Sequence, residues 1–210
     1  IKGKAGQIED LLGEALSWAT AAVVGPGLGT GETARRIVRF ALKEAEIPLI
    51  LDADGLNLVS KAPEWLKGAK APVIVTPHLG ELARLTGSSI PDIQQGLLQA
   101  ARAFAAEYHV ICVLKDARTV TALPDGRAYI NTSGNHGMAT GGAGDVLTGV
   151  LAGLVAQGMD LEQAAPAGVY LHGAAADRQA AELGAYGMTA RDIISGIRAV
   201  LHERESMERR

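Results

Sequence analysis

Four short apolar runs, alternating along the chain with helical stretches and loops, most restrict its fold. The runs are Ala21–Val24, Pro48–Leu51, Val73–Thr76 and Val110–Leu114. Strands buried on both faces and alternating with helices are typical of a parallel sheet covered by helices on each side. We therefore predict an α/β fold with three α/β/α layers and a mostly parallel central sheet.

The segments around these runs predict the remaining elements. Thr119–Leu123 and Arg127–Ile130 flank Pro124-Asp125-Gly126, a turn sequence typical of a hairpin. Helical periodicity predicts Ile8–Ala19, Glu32–Ala45, a helix ending near Leu85, Ser89–Tyr108, Asp145–Gln157, Leu161–Leu183 and Thr189–Glu205. We find no repeat or low-complexity linker, so we predict a single domain over residues 1–210.

Composition excludes several classes of protein. The net charge of −3 and the absence of long Lys/Arg runs give no indication of a nucleic-acid partner. No apolar run approaches the ~20 residues that a membrane span needs, so no membrane partner is expected. The single cysteine, Cys112, excludes an internal disulfide and suits a reducing, cytoplasmic compartment. Its apolar surroundings favour a buried structural thiol over a nucleophile.

Each of the four apolar runs ends in a cluster of small or polar residues. The clusters are GPGLG (Gly25–Gly29), DADGLN (Asp52–Asn57), TPHLGE (Thr76–Glu81) and KDART (Lys115–Thr119). Because ligands bind at the carboxyl ends of parallel strands, we expect the four clusters to form one site.

Structural interpretations of the same clusters stay open at this point. GPGLG could be only a tight strand-to-helix turn, and Asp52 and Asp54 could cap the following helix. His78 could be a simple turn histidine, and Lys115 could be a solvated charge.

The glycine-rich stretch Gly134–Gly149 leads directly into an apolar helix and carries one carboxylate, Asp145. The first N–H groups of a helix lack internal partners and lie at the positive end of its dipole, so they bind anions. A carboxylate beside an anion is a poor ligand and a good proton acceptor. We therefore predict a catalytic base next to a phosphate site.

Other familiar site patterns are absent from the sequence. There is no Walker sequence for a P-loop, no dinucleotide-binding glycine fingerprint and no GxSxG of a serine hydrolase. No His and Cys residues have metal-ligand spacing, so we predict no metal site built from side chains.

The run Asn135–Gly149 resembles the signature of the NAD(P)H-hydrate dehydratases, members of the ribokinase-like superfamily. GPGLG, DADGLN and TPHLGE resemble further motifs of this family, as does the late segment His172-Gly173-Ala174-Ala175-Ala176-Asp177. The motifs occur in the family's order across nearly the whole chain. The resemblance thus implies a ribokinase-like fold.

The resemblance also implies an activity. These enzymes use ADP or ATP to dehydrate the S-form of NAD(P)H hydrate and so restore NAD(P)H. Asp145 would activate the ring hydroxyl of the hydrate for phosphorylation, after which phosphate would leave. Mg²⁺ would accompany the nucleotide phosphates. The alternatives are a ribokinase-like small-molecule kinase and a non-catalytic nucleotide-binding fragment.

Site residues follow from the matching motifs. The resemblance places hydrate binding at Gly27, Gly29, His78 and Asp145. It places nucleotide binding at Lys115, Asp116, Ala117, Arg118, Thr119 and Gly144. Asp116 stands where the family usually has glycine and adds negative charge near phosphates, which Arg118 would offset. Ala143 stands where serine is frequent.

The resemblance has implications for partners as well. Relatives commonly form homo-tetramers, so we expect a homo-oligomer. Family members carry a glycine-rich strand–helix unit ahead of this point, and we expect a separate chain or domain to supply it here. Many relatives also carry an upstream epimerase domain.

Overall fold

The fold has the predicted α/β architecture with a six-stranded central sheet. A computed structural model describes residues 5–208, so residues 1–4 and 209–210 of the predicted domain lie outside the described part. The strands follow each other across the sheet in chain order: β1 (Ala22–Val24), β2 (Leu49–Leu51), β3 (Val73–Val75), β4 (Ile111–Leu114), β5 (Val120–Ala122) and β6 (Ala128–Ile130). β1 to β4 are parallel, and the predicted hairpin adds β5 and β6 antiparallel.

Ten α-helices surround this sheet in the described part of the chain. They are α1 (Ala5–Trp18), α2 (Glu32–Glu44), α3 (Asp54–Val59), α4 (Glu64–Lys67), α5 (Leu79–Thr86), α6 (Ile90–Gln95), α7 (Leu97–Tyr108), α8 (Ala143–Ala156), α9 (Leu161–Leu183) and α10 (Ala190–Glu208). Short 3₁₀ helices lie at His136–Met138 and Ala185–Gly187. Within residues 5–208, no helix is long and apolar enough to cross a membrane.

One local expectation is wrong, and two short helices add to the predicted set. The single helix expected over Ser89–Tyr108 is two helices, α6 and α7, because the chain breaks at Gly96 with φ −140° and ψ 51°. Ser89 caps the first of them by accepting a hydrogen bond from the Asp92 N–H at 3.2 Å. The list of predicted helices lacks α3 and α4; α3, the helix that the capping interpretation assumes, includes most of the DADGLN cluster.

The sheet carries a separate hydrophobic cluster on each face. Along β2, Leu49 and Leu51 join the cluster formed with α2, α3, α5 and α7, whereas Ile50 joins the one formed with α8 and α9. This alternation follows the two-residue period of a strand. The three-layer α/β/α prediction is therefore confirmed, and α8, which begins in the glycine-rich stretch, lies with α9 on one face.

Cys112 lies on β4 and is completely buried. Burial raises the pKa of its thiol to about 12, since the apolar surroundings disfavour the thiolate. The predicted buried structural thiol is confirmed.

We expect Cys112 to resist alkylation in the folded protein at neutral pH, because both access and thiolate formation are suppressed. The unfolded chain should react completely under the same conditions. Mass spectrometry after a timed iodoacetamide pulse, with and without denaturant, measures the difference. Rapid labelling of the folded protein would contradict a buried Cys112.

Candidate active site

The four polar clusters lie at the same edge of the sheet, as predicted. Each follows one of the parallel strands β1 to β4, and these strands are neighbours in that order. A further parallel bridge joins His78 and Lys115 beyond the ends of β3 and β4. The Lys115 N–H donates to the Pro77 carbonyl at 2.8 Å. The third and fourth clusters are thereby held side by side.

Two glycines allow the first two clusters to touch through their backbones. A Cβ built on Gly25, which has a φ of 136°, would lie 1.8 Å from the carbonyl oxygen of Asp52. One built on Gly55 would lie 2.6 Å from the Val24 carbonyl oxygen. Neither position accepts a side chain without moving backbone, so the glycines are required by close approach.

Asp54 fastens the GPGLG turn and does not cap a helix. Its Oδ2 accepts a hydrogen bond from the Gly29 N–H at 2.8 Å. The N-cap of α3 is Ala53, whose side chain makes no capping bond and whose φ is 49°. The capping interpretation of this cluster is therefore wrong. The Asp54 carboxylate instead connects the DADGLN cluster to the GPGLG turn.

Asp52 forms a buried ion pair with Lys115. The Asp52 side chain is 3% exposed, and its Oδ1 lies 2.7 Å from Nζ of Lys115, whose side chain is 22% exposed. Oδ2 of Asp52 accepts from the Thr148 hydroxyl at 3.0 Å. The interpretation of Lys115 as a solvated charge is wrong, since a buried carboxylate holds its ammonium in place.

Helix α8 begins at the glycine-rich stretch and points its first turn toward this ion pair. Gly142, with a φ of 87°, is the N-cap, and Gly144 and Asp145 lie in the first turn. A Cβ on Gly144 would lie 3.6 Å from Nζ of Lys115. The Thr148 hydroxyl also lies 2.9 Å from the Gly144 carbonyl oxygen. The same Cβ position on Gly144 lies 3.8 Å from Oδ2 of Asp52. The Asp52–Lys115 ion pair and a helix N-terminus therefore meet, and of these the helix N-terminus favours an anion.

A cavity of about 810 Å³ opens beside this helix start. Its lining includes His78, the whole stretch Lys115–Thr119 and Gly144, so the structure brings together every predicted nucleotide-binding residue. Gly27, Gly29 and Asp145 are outside this lining. Asp145 is exposed on the first turn of α8.

The chain matches the protein family described as NAD(P)H-hydrate dehydratase over residues 4–199. It belongs to that family. The bifunctional NAD(P)H-hydrate repair enzyme Nnr of Moorella thermoacetica is 42% identical over 196 residues, which are 93% of this chain and 37% of that enzyme. The ADP-dependent (S)-NAD(P)H-hydrate dehydratase of Neisseria meningitidis is 44% identical over 158 residues, 74% of this chain and 53% of that protein.

A solved structure of the family has the same fold. The ADP/ATP-dependent NAD(P)H-hydrate dehydratase of Bacillus subtilis, co-crystallised with ATP and Mg²⁺ and soaked with CoA, superposes with a TM-score of 0.79 at 33% identity. The match covers 91% of this chain and 71% of that one. The ribokinase-like fold is therefore confirmed. The chain spans less than half the length of the Moorella enzyme.

Within this dehydratase fold, the two predicted hydrate-binding glycines have open surroundings. Gly27 and Gly29 have φ angles of 67° and 76°, and a Cβ at either position would meet no atom of residues 5–208 within 4 Å. Their backbone conformation favours glycine, and both residues are exposed. Their role in binding stays a prediction.

His78 has both a structural task and a place in the cavity wall. It is the N-cap of α5, where its Nδ1 accepts from the Gly80 N–H at 3.0 Å. Its own N–H donates to Oε2 of Glu81 at 2.8 Å, which completes a capping box. The interpretation of His78 as a turn histidine is therefore correct as far as Nδ1 is concerned, because this nitrogen bonds the backbone at the start of α5. The side chain is still 54% exposed, so contact with a ligand stays a prediction.

The late family motif holds the glycine-rich stretch against α9. Asp177 accepts from the Gly134 N–H at 2.7 Å and from the Asn135 side-chain amide at 2.9 Å. A Cβ on Gly173 would lie 2.3 Å from the Ser133 hydroxyl oxygen, so only glycine fits there. The motif therefore positions the segment that precedes α8.

His172, from the same motif, lines the cavity and is 6% exposed. Burial lowers the pKa of its imidazole to about 4, a hydrogen bond to the backbone of Ala143 opposes this shift, and the charge of Lys115 adds to it. The ring is therefore neutral at physiological pH.

The KDART stretch at the mouth of the cavity is exposed at its centre. Asp116, Ala117 and Arg118 are all exposed, and Arg118 donates to the Thr132 carbonyl at 3.3 Å. The Thr119 hydroxyl lies 3.5 Å from the Asp116 carbonyl oxygen. Neither hydrogen bond joins the side chains of Asp116 and Arg118. That Arg118 offsets the charge of Asp116 therefore stays a prediction.

Among residues 5–208, no group of three or more His, Cys, Asp or Glu side chains could hold a metal ion. The residues present thus fit Mg²⁺ only as an ion carried mainly by nucleotide phosphates and water.

Sequence reasoning missed the partners of Asp52, the anchoring role of Thr148 and the buried imidazole of His172. Thr148 had one available signal, since it lies four residues after Gly144 and so on the same face of α8. No local sequence pattern indicates the Asp52–Lys115 pair, because 63 residues separate the two in the chain.

We expect Lys115→Met to lower the free energy of unfolding by about 3–5 kcal/mol, because it leaves the buried Asp52 carboxylate without its partner. Asp52→Asn should cost less, since the partly exposed Lys115 ammonium can hydrate and the amide can still accept from Thr148. Urea unfolding of both single variants and the double variant measures the difference. A coupling energy near zero between the two substitutions would contradict the ion pair.

We expect Gly25→Ala to destabilise the protein more than Gly27→Ala. The change at Gly27 costs about 1–2 kcal/mol because a side chain disfavours its positive φ. At Gly25 the backbone of Asp52 must also move, which adds roughly 1–3 kcal/mol. Thermal unfolding of the pair gives the comparison, and similar melting temperatures would argue against the backbone contact.

Proposed function

We propose that this chain catalyses the ADP- or ATP-dependent dehydration of the S-form of NAD(P)H hydrate, which restores NAD(P)H. The observation that carries the proposal is the convergence of the Lys115 ammonium on Gly144 in the first turn of α8, with Asp145 as the next residue. Membership of the dehydratase family supports it. So do the names of the Neisseria and Bacillus relatives.

The nucleotide is proposed to occupy the cavity beside α8. Its terminal phosphate would lie at the helix N-terminus and near the Lys115 ammonium, which both stabilise negative charge. The exposed part of the KDART stretch would contact the remainder of the nucleotide. Mg²⁺, when bound with the phosphates, would supply additional neutralisation of their charge.

The hydrate is proposed to lie outside that cavity, between Asp145 and the open backbone of Gly27 and Gly29, with His78 at the boundary. The Asp145 carboxylate takes the proton of the ring hydroxyl, whose oxygen then attacks the terminal phosphorus of the nucleotide. The shortened nucleotide leaves. The ring nitrogen's lone pair then expels phosphate with the C–O electron pair, and loss of a ring proton completes the dehydration.

The proposal also concerns partners and location. Val23 on β1 is 41% exposed, and β1 is an edge strand of the described sheet. This edge supports our proposal that another segment, domain or chain pairs beside it.

We propose a homo-oligomer on the basis of the resemblance, and light scattering would measure its size. We place the reaction in the cytoplasm.

We expect Asp145→Asn to lower kcat by about 10²–10⁴-fold, because the amide cannot accept the hydroxyl proton. Nucleotide affinity should be unchanged or higher, since a negative charge near the phosphates is removed. The measurements are recovery of reduced-nicotinamide absorbance from NADH hydrate plus ADP or ATP, and calorimetric binding of the same nucleotides. Asp10→Asn on α1, at another exposed carboxylate, is the matched control and should keep full activity.

Other outcomes separate the alternatives. Accumulation of a phosphorylated alcohol without recovery of NADH would favour a small-molecule kinase. Nucleotide binding without any turnover would favour a non-catalytic nucleotide-binding fragment. Full activity of the Asp145→Asn variant would overturn the assignment of the base.

A further inference from the structure

Arg84 on α5 carries a positive charge that no carboxylate compensates in the described part of the chain. The residue is exposed, and its Nε donates to the side-chain oxygen of Asn57 at 3.1 Å. Within residues 5–208, Arg84 forms no ion pair, and its terminal nitrogens make no hydrogen bond. A neutral amide therefore directs the guanidinium, whose remaining N–H groups are available to an anion.

Asn57 connects Arg84 to the GPGLG turn. The Asn57 amide nitrogen donates to Oδ1 of Asp54 at 3.5 Å, and Oδ2 of Asp54 accepts from the Gly29 N–H at 2.8 Å. A continuous series of hydrogen bonds thus runs from the guanidinium to the backbone of the exposed turn. Because the members of such a network orient one another, Arg84 and the turn are held in one relative position.

Gly80 allows the guanidinium to approach His78. A Cβ built on Gly80 would lie 3.0 Å from Cε1 of the His78 ring and 3.7 Å from Nη1 of Arg84. The imidazole and the guanidinium therefore lie close to the same point beside the first turn of α5. The guanidinium is thus adjacent to His78 and connected to the GPGLG turn, the two features that flank the proposed hydrate site.

The substrate of the proposed reaction carries its negative charge on phosphates. NADH hydrate and NADPH hydrate both contain a pyrophosphate, and NADPH hydrate contains a 2′-phosphate as well. Arginine suits such groups, because its planar fork of donors matches two phosphate oxygens. The other Lys and Arg residues of the four clusters have different places, since Lys115 pairs with Asp52 and Arg118 lines the cavity beside α8. Arg84 lies outside that lining.

We propose that the Arg84 guanidinium binds a phosphate group of NAD(P)H hydrate, which makes Arg84 a specificity-determining residue for a dinucleotide substrate. The inference rests on the proposed function, because it takes the surface between the GPGLG turn and His78 as the hydrate site. The phosphate is either the pyrophosphate or the 2′-phosphate. Asn57 positions the guanidinium for this contact.

Arg84→Gln tests the contact, because glutamine removes the charge and keeps an N–H that can donate to Asn57. We expect the KM for the hydrate, and its dissociation constant measured by calorimetry without nucleotide, to rise by about 5- to 50-fold. The kcat and the affinity for ADP should be unchanged, since the lost contact is made equally before and during the reaction and ADP occupies another cavity.

The two hydrates identify the phosphate group. An equal rise in KM for NADH hydrate and NADPH hydrate assigns the contact to the pyrophosphate. A rise for NADPH hydrate alone assigns it to the 2′-phosphate. Sodium chloride should raise the KM more steeply for the wild type than for Arg84→Gln, because salt screens a contact between charges. Arg84→Lys should recover part of the affinity.

Arg102→Gln on α7 is the matched control. Arg102 is also exposed, and its Nη2 would lie 3.4 Å from a Cβ on Gly126, in the turn between β5 and β6. This turn is at the opposite edge of the sheet, because β5 runs antiparallel to β4. The control variant should keep the wild-type KM for both hydrates at every salt concentration.

The results that overturn the inference are distinct from those that overturn the function. Unchanged constants for both hydrates in Arg84→Gln would show that the contact does not exist. An equal loss of ADP affinity, or a lower kcat at unchanged KM, would show that Arg84 acts on the site as a whole. Hydrate binding that depends on Arg84 but leads to no NADH would overturn the proposed activity and keep the contact. If the wild type binds neither hydrate, both proposals fail.

Discussion

The ion pair between Asp52 and Lys115 is the interaction on which the rest of the site depends. A carboxylate that is almost completely removed from water is stable only with a close counter-charge and a further hydrogen bond, and Lys115 and Thr148 provide them. These three residues come from the ends of β2 and β4 and from α8, so the pair joins the sheet to the helix that carries the glycine-rich stretch. The ammonium is consequently held beside Gly144 in the first turn of α8.

The glycines of the site serve two different physical needs. At Gly25 and Gly173 there is no room for a side chain, because backbone or side-chain atoms of a neighbouring element already occupy the space. At Gly27 and Gly29 there is room, and the positive φ is what favours glycine. Sequence motifs do not distinguish these cases. Close approach assembles the scaffold, whereas Gly27 and Gly29 lie exposed at the edge of the sheet.

Much of the fold could be predicted because its signals are local. Apolar runs such as Val73–Thr76 are short, and the clusters after them contain residues that neither strands nor helices favour. The predicted strand ends therefore agree closely with the observed ones. The helix expected over Ser89–Tyr108 failed at Gly96, where a single flexible residue interrupted an otherwise helical pattern. Asp52 and Asp54 resembled caps because capping is the common local use of a carboxylate before a helix. Their actual partners are distant in the chain, which a local pattern does not reveal.

The sequence by itself determined the α/β class, the shared edge of the four clusters and the helix start with Asp145, because parallel strands order their carboxyl ends in one direction. Only the tertiary structure decided which groups meet there. Asp52 and Thr148 are 96 residues apart in the chain, and Gly134 and Asp177 are 43 apart. It also decided that Nε2 of His172 is buried with no hydrogen-bond partner among residues 5–208. Such contacts arise from the packing of α8 and α9 on the sheet, and packing depends on the whole chain at once.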